Sequence, residues 1–270
     1  ISVKDPTVVR YNNEWLVYFT VYSQAGGWNL GMTKFGDWSQ AASAPMYFLD
    51  TSGIGAGYRA APNLFYFAPQ QLWYLVYQTG LPSYSTSTNP ADPNSWSAPK
   101  NFMNSMPPIV SQNIGNGYWL DYFVTCDDVN CHLFSSDDNC HVYRAQTSMA
   151  NFPNGWGSTV IALSDTRGTG IFEGSAHYKV QGQNLYLTLV EAWDSQGQRY
   201  YRGWTSPSLS GPYTAMGAGS SNPFAHITTS TWTDSRWTRD ISHGELIRAG
   251  YDQKMEINPC DLQFLYQGLS

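Results

Sequence analysis

The stretch that decides the fold lies near the start of the chain and reads Asp5-Pro-Thr-Val-Val-Arg-Tyr11, then Asn12-Asn13-Glu14, then Trp15-Leu-Val-Tyr-Phe-Thr20. Two runs rich in β-branched and aromatic residues flank a short polar turn, and this pattern predicts a β-hairpin. Four similar hairpins follow, at 61–77, 119–134, 173–190 and 243–257. Helical periodicity is nearly absent, so we expect an all-β protein.

The five hairpins recur at a regular spacing. Their first strands begin at 5, 62, 121, 173 and 243, with steps of 57, 59, 52 and 70 residues. An aromatic landmark near the end of the first four repeats keeps a similar period, at Trp38, Trp96, Trp156 and Tyr213. Repeats of this length are typical of propeller blades. The sequence therefore predicts a single five-bladed β-propeller domain over 1–270, and the alternative is a β-sandwich with accidentally even spacing.

Low charge and many aromatic rings indicate the class of protein. The chain is 16% aromatic and 13% charged, whereas about 25% charged residues is usual. This composition favours an extracellular protein that handles neutral ligands. The net charge of −6 argues against a nucleic-acid partner, which needs a basic surface. No apolar run approaches the roughly 18 residues of a membrane span, and we expect no signal peptide within the sequence as it stands. We expect a secreted, mature or trimmed monomer.

Three of the four cysteines crowd one segment. Cys126, Cys131 and Cys140 lie within fifteen residues of each other, and Cys260 stands apart. One interpretation is a metal site completed by His132 or His141. The other is disulfide bonding in an oxidising compartment. The spacings match no zinc pattern, so we favour disulfides, with their connectivity open.

Three carboxylates occupy equivalent places in the repeat. The first strands begin at Asp5, Asn63 (with Pro62), Asp121, Glu173 and His243. Any single carboxylate there could be a turn cap or a salt-bridge partner. Three carboxylates at equivalent positions of the repeat, in a chain with few charges, indicate a common function. Paired carboxylates suit glycoside hydrolysis, in which one donates a proton and the other activates water, and a third can hold the geometry. Separate blades set them well apart, which favours an inverting reaction.

Several motifs resemble glycoside hydrolase family 62 over nearly the whole chain. They are KDPT (4–7), GYWLDYFV (117–124), LFSSDDN (133–139), FEGS (172–175), DISHGE (240–245) and NPCDLQFLYQ (258–267). The resemblance implies an inverting α-L-arabinofuranosidase that debranches arabinoxylan on a five-bladed propeller. It implies that Asp5 is the general base, Glu173 the general acid and Asp121 an orienting carboxylate.

The same resemblance extends to the surroundings of the three carboxylates. It implies that Lys4 lines the arabinose pocket, and we count Gln78 and Arg239 among the candidate substrate-binding residues. Arg239 could equally form a structural ion pair. The family holds a calcium ion on the propeller axis near a histidine, which implies a site at His243. A lone histidine is weak evidence for calcium, since hard cations prefer oxygen ligands. His243 could equally be a histidine that is hydrogen-bonded within the channel. No organic cofactor is expected.

The chain also departs from the family pattern. Members carry further N- and C-terminal stretches that close the propeller, and the chain begins and ends almost on the motifs, so Cys260 is expected to lack its usual partner. Thr79 stands where many members have tryptophan, which puts one contact to the xylan backbone in doubt. Two alternatives remain: another five-bladed inverting glycosidase, such as an arabinanase or β-xylosidase, and a non-catalytic sugar-binding propeller.

Overall fold

The chain folds as an all-β propeller in a single domain. The computed structural model describes residues 2–24, 26–165, 170–217 and 219–269. The first two blades contain, in chain order, β1 (Ser2–Tyr11), β2 (Glu14–Ser23), β3 (Gly27–Phe35) and β4 (Met46–Phe48), then β5 (Ala60–Phe67), β6 (Leu72–Gln78), β7 (Pro82–Ser87) and β8 (Lys100–Asn101). A short helix, α1 (Pro108–Asn113), leads into the third blade.

The second half of the chain continues this pattern. The third blade contains β9 (Leu120–Cys126), β10 (Asn130–Ser136), β11 (His141–Ser148) and β12 (Val160–Ser164), and the fourth contains β13 (Ala176–Val180), β14 (Tyr186–Trp193), β15 (Arg199–Ser206) and β16 (Thr214–Gly217). The last strands are β17 (Ser242–Leu246), β18 (Glu256–Ile257) and β19 (Phe264–Gln267). Single turns of 3₁₀ helix span Leu49–Thr51 and Ala68–Gln70, and a longer one spans Trp38–Ser43.

The prediction of five blades is wrong in its count, because the described residues form four blades. The fifth repeat begins where the sequence predicts, but β17 pairs only with β19 in a two-stranded sheet. Its predicted second strand, at 255–257, pairs instead in parallel with the edge of β13 in the fourth blade. The reason is burial, since Ile257 is 1% exposed within the main hydrophobic core. The described residues between Gly217 and Ser242 form turns and isolated bridges instead of outer strands.

The other four hairpins are confirmed, and so is the position of the aromatic landmarks. Each landmark lies between the third and fourth strands of its blade. Trp96, for example, is buried and packs edge-on against Tyr18 of the first blade, to which its indole N–H donates a hydrogen bond of 3.1 Å. The period in the sequence therefore reflects aromatic packing within and between blades.

Side chains on the innermost strands join neighbouring sheets at four of the five junctions of the ring. A side-chain oxygen on one strand accepts a hydrogen bond from a backbone N–H on the following one. The pairs are Thr7 with Leu64, Asn63 with Val124, Tyr178 with Leu246, and Glu245 with Val8. The last pair closes the ring between β17 and β1. Since buried N–H groups need partners, these bonds hold the strand ends in a circle.

The disulfide interpretation is confirmed for one pair of cysteines. Cys126 and Cys131 lie opposite each other on β9 and β10 and form a disulfide. Among the described residues, no group of three or more histidines, cysteines and acidic residues is placed to hold a metal ion. In the same part of the chain, no helix has the length and apolar character needed to cross a bilayer.

Candidate active site

A cleft of about 180 Å³ opens where the innermost strands begin. Its lining includes Lys4, Asp5, Gln78, Asp121, Glu173 and His243, together with Thr20, Trp28, Tyr58, Ala60 and Leu120. The structure therefore brings together six of the seven residues that the sequence singles out. Arg239 is exposed and does not line the cleft. Its backbone N–H donates to the carbonyl oxygen of Leu269 at 3.0 Å.

The same backbone conformation, at the start of an innermost strand, directs the side chains of Asp5 and Asp121 into the cleft. Asp5 (φ 51°) and Asp121 (φ 56°) adopt the left-handed conformation, as do Ala61 and Gly174 at the matching places in the second and fourth blades. The strand register slips at these places in the first three blades, which is the signature of a β-bulge. A non-glycine residue in this conformation costs about 1–3 kcal/mol, and such strain collects at functional sites. The bulges turn both carboxylates into the cleft.

The second blade contributes differently from the prediction. Asn63 was expected at its rim, but Ala60 lines the cleft and Asn63 lies buried deeper on β5. Its Oδ1 accepts a hydrogen bond of 3.0 Å from Val124 N–H. The side chain of Asn63 therefore joins two blades and does not face the cleft.

Asp121 is the most enclosed carboxylate of the cleft. Its Oδ2 accepts a hydrogen bond of 2.9 Å from the N–H of Gly174. Burial raises the pKa of Asp121 well above its usual value, and the negative charges of Glu173 and Asp5 raise it further. A carboxyl group in such surroundings tends to keep its proton. This property fits an orienting group better than a base.

His243 stands between the two aspartates. Its Nδ1 lies 3.4 Å from Oδ1 of Asp5 and 3.5 Å from Oδ2 of Asp121. Calcium takes six to eight oxygen ligands as a rule, and the described residues around His243 do not form a cluster of that kind. The residues present do not fit a protein-built calcium cage. Calcium near His243 stays a prediction.

Glu173 is held by an arginine that sequence reasoning missed. Nη1 of Arg199, on β15, donates to Glu173 and also to Oε1 of Glu191 at 2.5 Å. Glu191 is completely buried and further accepts hydrogen bonds of 2.9 Å from the hydroxyl of Ser242 and the N–H of His243. Burial raises the pKa of Glu191, an effect that the Arg199 charge opposes. Arg199 thus orients the predicted acid and neutralises a buried charge.

Aromatic rings fix the guanidinium of Arg199. It lies 4.6 Å from the ring centre of Trp193 and 5.1 Å from that of Phe172, within the range of cation–π contact. A signal for this arrangement was present in the sequence. Glu191 is the one charged residue of β14, and a buried carboxylate there requires a cationic partner. Arg199 begins the next strand of the same hairpin.

The remaining cleft residues are also held by neighbours. The Lys4 ammonium lies 5.2 Å from the ring centre of Trp28. The N–H of Asp5 donates to Oε1 of Gln267 at 2.8 Å, and Nε2 of Gln267 donates to Ser242 at 3.0 Å. Because the Ser242 hydroxyl donates to Glu191, Asp5 is connected to Glu191 through the side chains of Gln267 and Ser242. The cleft walls are preorganised before any ligand arrives.

The sequence and the fold are similar to those of known proteins. The model of glycosyl hydrolase family 62 matches residues 1–270. α-L-Arabinofuranosidase C of Cellvibrio japonicus is 41% identical over 273 residues, which cover all of this chain and 41% of that protein. The chain thus spans well under half the length of this relative.

Two solved structures resemble the chain closely. The catalytic domain of a family 62 α-L-arabinofuranosidase from Coprinopsis cinerea is 51% identical, with a TM-score of 0.97, over 99% of this chain and 84% of that one. A family 62 hydrolase in complex with xylotriose is 43% identical, with a TM-score of 0.95, over 99% and 85% of the two chains.

Proposed function

This chain belongs to glycosyl hydrolase family 62, and we propose from that premise that it is an α-L-arabinofuranosidase that removes arabinofuranosyl side groups from arabinoxylan with inversion of configuration. The observation that carries the proposal is the convergence of Asp5, Asp121 and Glu173 in one cleft of about 180 Å³. The relatives named as α-L-arabinofuranosidases support the same activity.

Two carboxylates, Asp5 as base and Glu173 as acid, take part directly in the proposed reaction. Asp5 accepts a proton from a water molecule, whose oxygen attacks the anomeric carbon of arabinose. Glu173 donates a proton to the glycosidic oxygen of the leaving xylose unit as the bond to the anomeric carbon breaks. Inversion requires room for water between the two groups, roughly 6.5–9.5 Å between carboxyls in such enzymes.

The neighbouring residues adjust these two roles. Asp121 sits beside the acid, and because its raised pKa favours retention of a proton, it limits the negative charge of the cleft. Arg199, which already contacts Glu173, stabilises the carboxylate that forms once the proton has left. His243 faces the charge of Asp5 and Asp121.

The polymer that bears the arabinose is proposed to be xylan. The family 62 hydrolase solved with xylotriose supports this assignment. A second groove, which shares Tyr58, Gln78 and Leu120 with the cleft, continues along exposed Tyr118 and offers a path for the main chain. We also propose secretion, which the disulfide of Cys126 and Cys131 supports, because disulfides persist in oxidising compartments.

Product analysis tests the function. Arabinose release from wheat arabinoxylan should exceed release from linear arabinan, and xylose should not be released from unsubstituted xylan. Glu173→Gln should abolish turnover and keep the fold, whereas Glu14→Gln, at a hairpin turn outside the cleft, should be active. A proton NMR time course should show β-arabinose first. Faster hydrolysis of arabinan would favour an arabinanase, and binding without turnover would favour a sugar-binding propeller.

A further inference from the structure

One kind of hydrogen bond recurs around the rim of the cleft. At each of the five junctions between neighbouring sheets, a backbone N–H near the start of an innermost strand donates to a side-chain oxygen of the preceding sheet. The donors and acceptors are Ala61 with Thr20, Asp121 with Gln78, Gly174 with Asp121, His243 with Glu191, and Asp5 with Gln267, at 2.7–2.9 Å. Since two of the donors are Asp5 and Asp121, these bonds fix the backbone from which both carboxylates project.

The acceptors belong to the repeat. In four sheets the acceptor is a residue of the second strand that lies opposite the start of the first, namely Thr20, Gln78, Glu191 and Gln267. In the third blade the same position is Ser136, which pairs with Leu120. The Ser136 hydroxyl is buried and has no hydrogen-bond partner in the described part of the chain, and Asp121 is the acceptor there instead. The residue type at this position therefore decides how each junction is held.

Gln267 connects the backbone of Asp5 to the group that holds Glu173. Its Oε1 accepts from the Asp5 N–H, and its Nε2 donates to the hydroxyl of Ser242 at 3.0 Å. The same hydroxyl accepts a hydrogen bond of 3.3 Å from Nη1 of Arg199, and Arg199 donates to Glu173. A continuous path of hydrogen bonds therefore joins the residue proposed as the base to the residue proposed as the acid.

The backbone at Asp5 needs this support. The pairing of β1 with β2 omits Asp5 and Pro6, because the register shifts between Lys4 and Thr7, so the strand ladder does not hold the chain at this point. Gln267 supplies a bond there from β19, and its side chain does not line the cleft. A displacement of about 1 Å in a reacting group can cost about 100-fold in rate. The bond from Gln267 thus acts on the place where precision matters most.

We propose that Gln267 is a positioning residue that holds the Asp5 carboxylate where it can take a proton from the attacking water. The inference rests on the proposed function of Asp5 as the base. Because Gln267 lies outside the cleft, its loss should slow the reaction step and spare substrate binding. Because it also reaches Ser242, it links the placement of the base to that of Arg199 and the acid.

The test is the kinetics of Gln267→Met, which keeps the length of the side chain and removes both amide hydrogen bonds. On arabinoxylan kcat should fall about 10–100-fold, with KM within about twofold of the wild-type value. In an Asp5→Asn background the same substitution should lower the remaining kcat by less than about twofold, since Gln267 acts through the Asp5 carboxylate. Gln263→Met, exposed on the same segment and outside the cleft, is the matched control and should leave kcat unchanged.

Two kinetic outcomes would overturn the proposal. One is a rise in KM with kcat unchanged, which would indicate direct contact with substrate. The other is an equal loss of kcat in the wild-type and Asp5→Asn backgrounds, which would indicate a role independent of the base. Gln267→Asn, one methylene shorter, repeats the test if the methionine variant does not fold.

Amide hydrogen exchange followed by NMR gives a readout that does not depend on turnover. The Asp5 N–H should be protected in the wild type and should exchange faster in a folded variant. Fast exchange of this N–H in the wild type would also overturn the proposal. A wild-type protein that releases no arabinose would overturn the proposed function and this role of Gln267 together, whereas an active wild type with unaffected variants would overturn this role alone.

Discussion

Oε1 of Gln78 accepts a hydrogen bond of 2.8 Å from the backbone N–H of Asp121. The bond passes from the end of β6 to the start of β9 and thus joins the second blade to the third at the cleft. The other end of the same amide donates to the hydroxyl of Tyr58 at 2.5 Å. Both polar ends of Gln78 are engaged within the protein, so it positions Asp121 in addition to lining the cleft.

Gln78→Ala should lower both activity and stability. The Asp121 N–H would lose its partner in a buried place, and an unsatisfied buried donor costs about 1–3 kcal/mol. We expect a matching decrease in the free energy of unfolding by denaturant titration, and a decrease in kcat on arabinoxylan larger than any change in KM. The exposed Gln196→Ala is the control. A rise in KM alone would indicate that Gln78 acts only by binding substrate.

Arg199→Met should destabilise the protein strongly. Glu191 would keep a buried charge without its cation, and removing one partner of a buried ion pair costs about 3–5 kcal/mol. The double variant Arg199→Met with Glu191→Gln should recover a large part of this loss, because the buried group is then neutral. Thermal and denaturant unfolding measure both effects. Equal instability of single and double variants would contradict the ion-pair account, and exposed Arg10→Met serves as control.

The stability of the protein should depend on pH through Asp121. Its pKa is raised in the folded state from 3.8, so the folded protein binds more protons than the unfolded one above that pH. Stability from this group is therefore present at acid pH and is lost as pH rises through the folded pKa. Asp121→Asn should become increasingly stable relative to the wild type as pH rises from 3.8. A pH-independent difference would contradict this assignment, and Asp50→Asn should show none.

Loss of the disulfide should cost a modest amount of stability. The bond between Cys126 and Cys131 closes a short loop, with a sequence separation of 5, for which loop entropy gives about 2 kcal/mol. The double variant Cys126→Ser with Cys131→Ser should show this decrease in denaturant titration, with activity retained because neither residue lines the cleft. A reducing agent should lower the stability of the wild type and leave that of the variant unchanged.

The strand pattern was predictable because its cause is local. Alternating apolar and polar residues with turn-forming pairs specify each hairpin; Asn12 and Asn13, both at positive φ, form the first turn. Asp5 and Asp121 could be placed together because similar steps along the chain put equivalent residues at the same height of the propeller. The number of blades was not predictable in this way, since pairing of β18 with β13 depends on which sheet edge offers a buried place to Ile257.

By itself the sequence determined the all-β class, four of the hairpins and the phase of the acidic residues, because these follow from side-chain periodicity and spacing. Only the tertiary structure decided which groups surround Glu173. Arg199 and Glu191 lie on β15 and β14, and the spacing of the repeat does not place them beside Glu173. Their contact arises from how sheets pack around the axis, and charge–charge interaction depends on distance in space. The physical reason is therefore that the environment of the acid is set by long-range packing, whereas its position in the chain is set by the repeat.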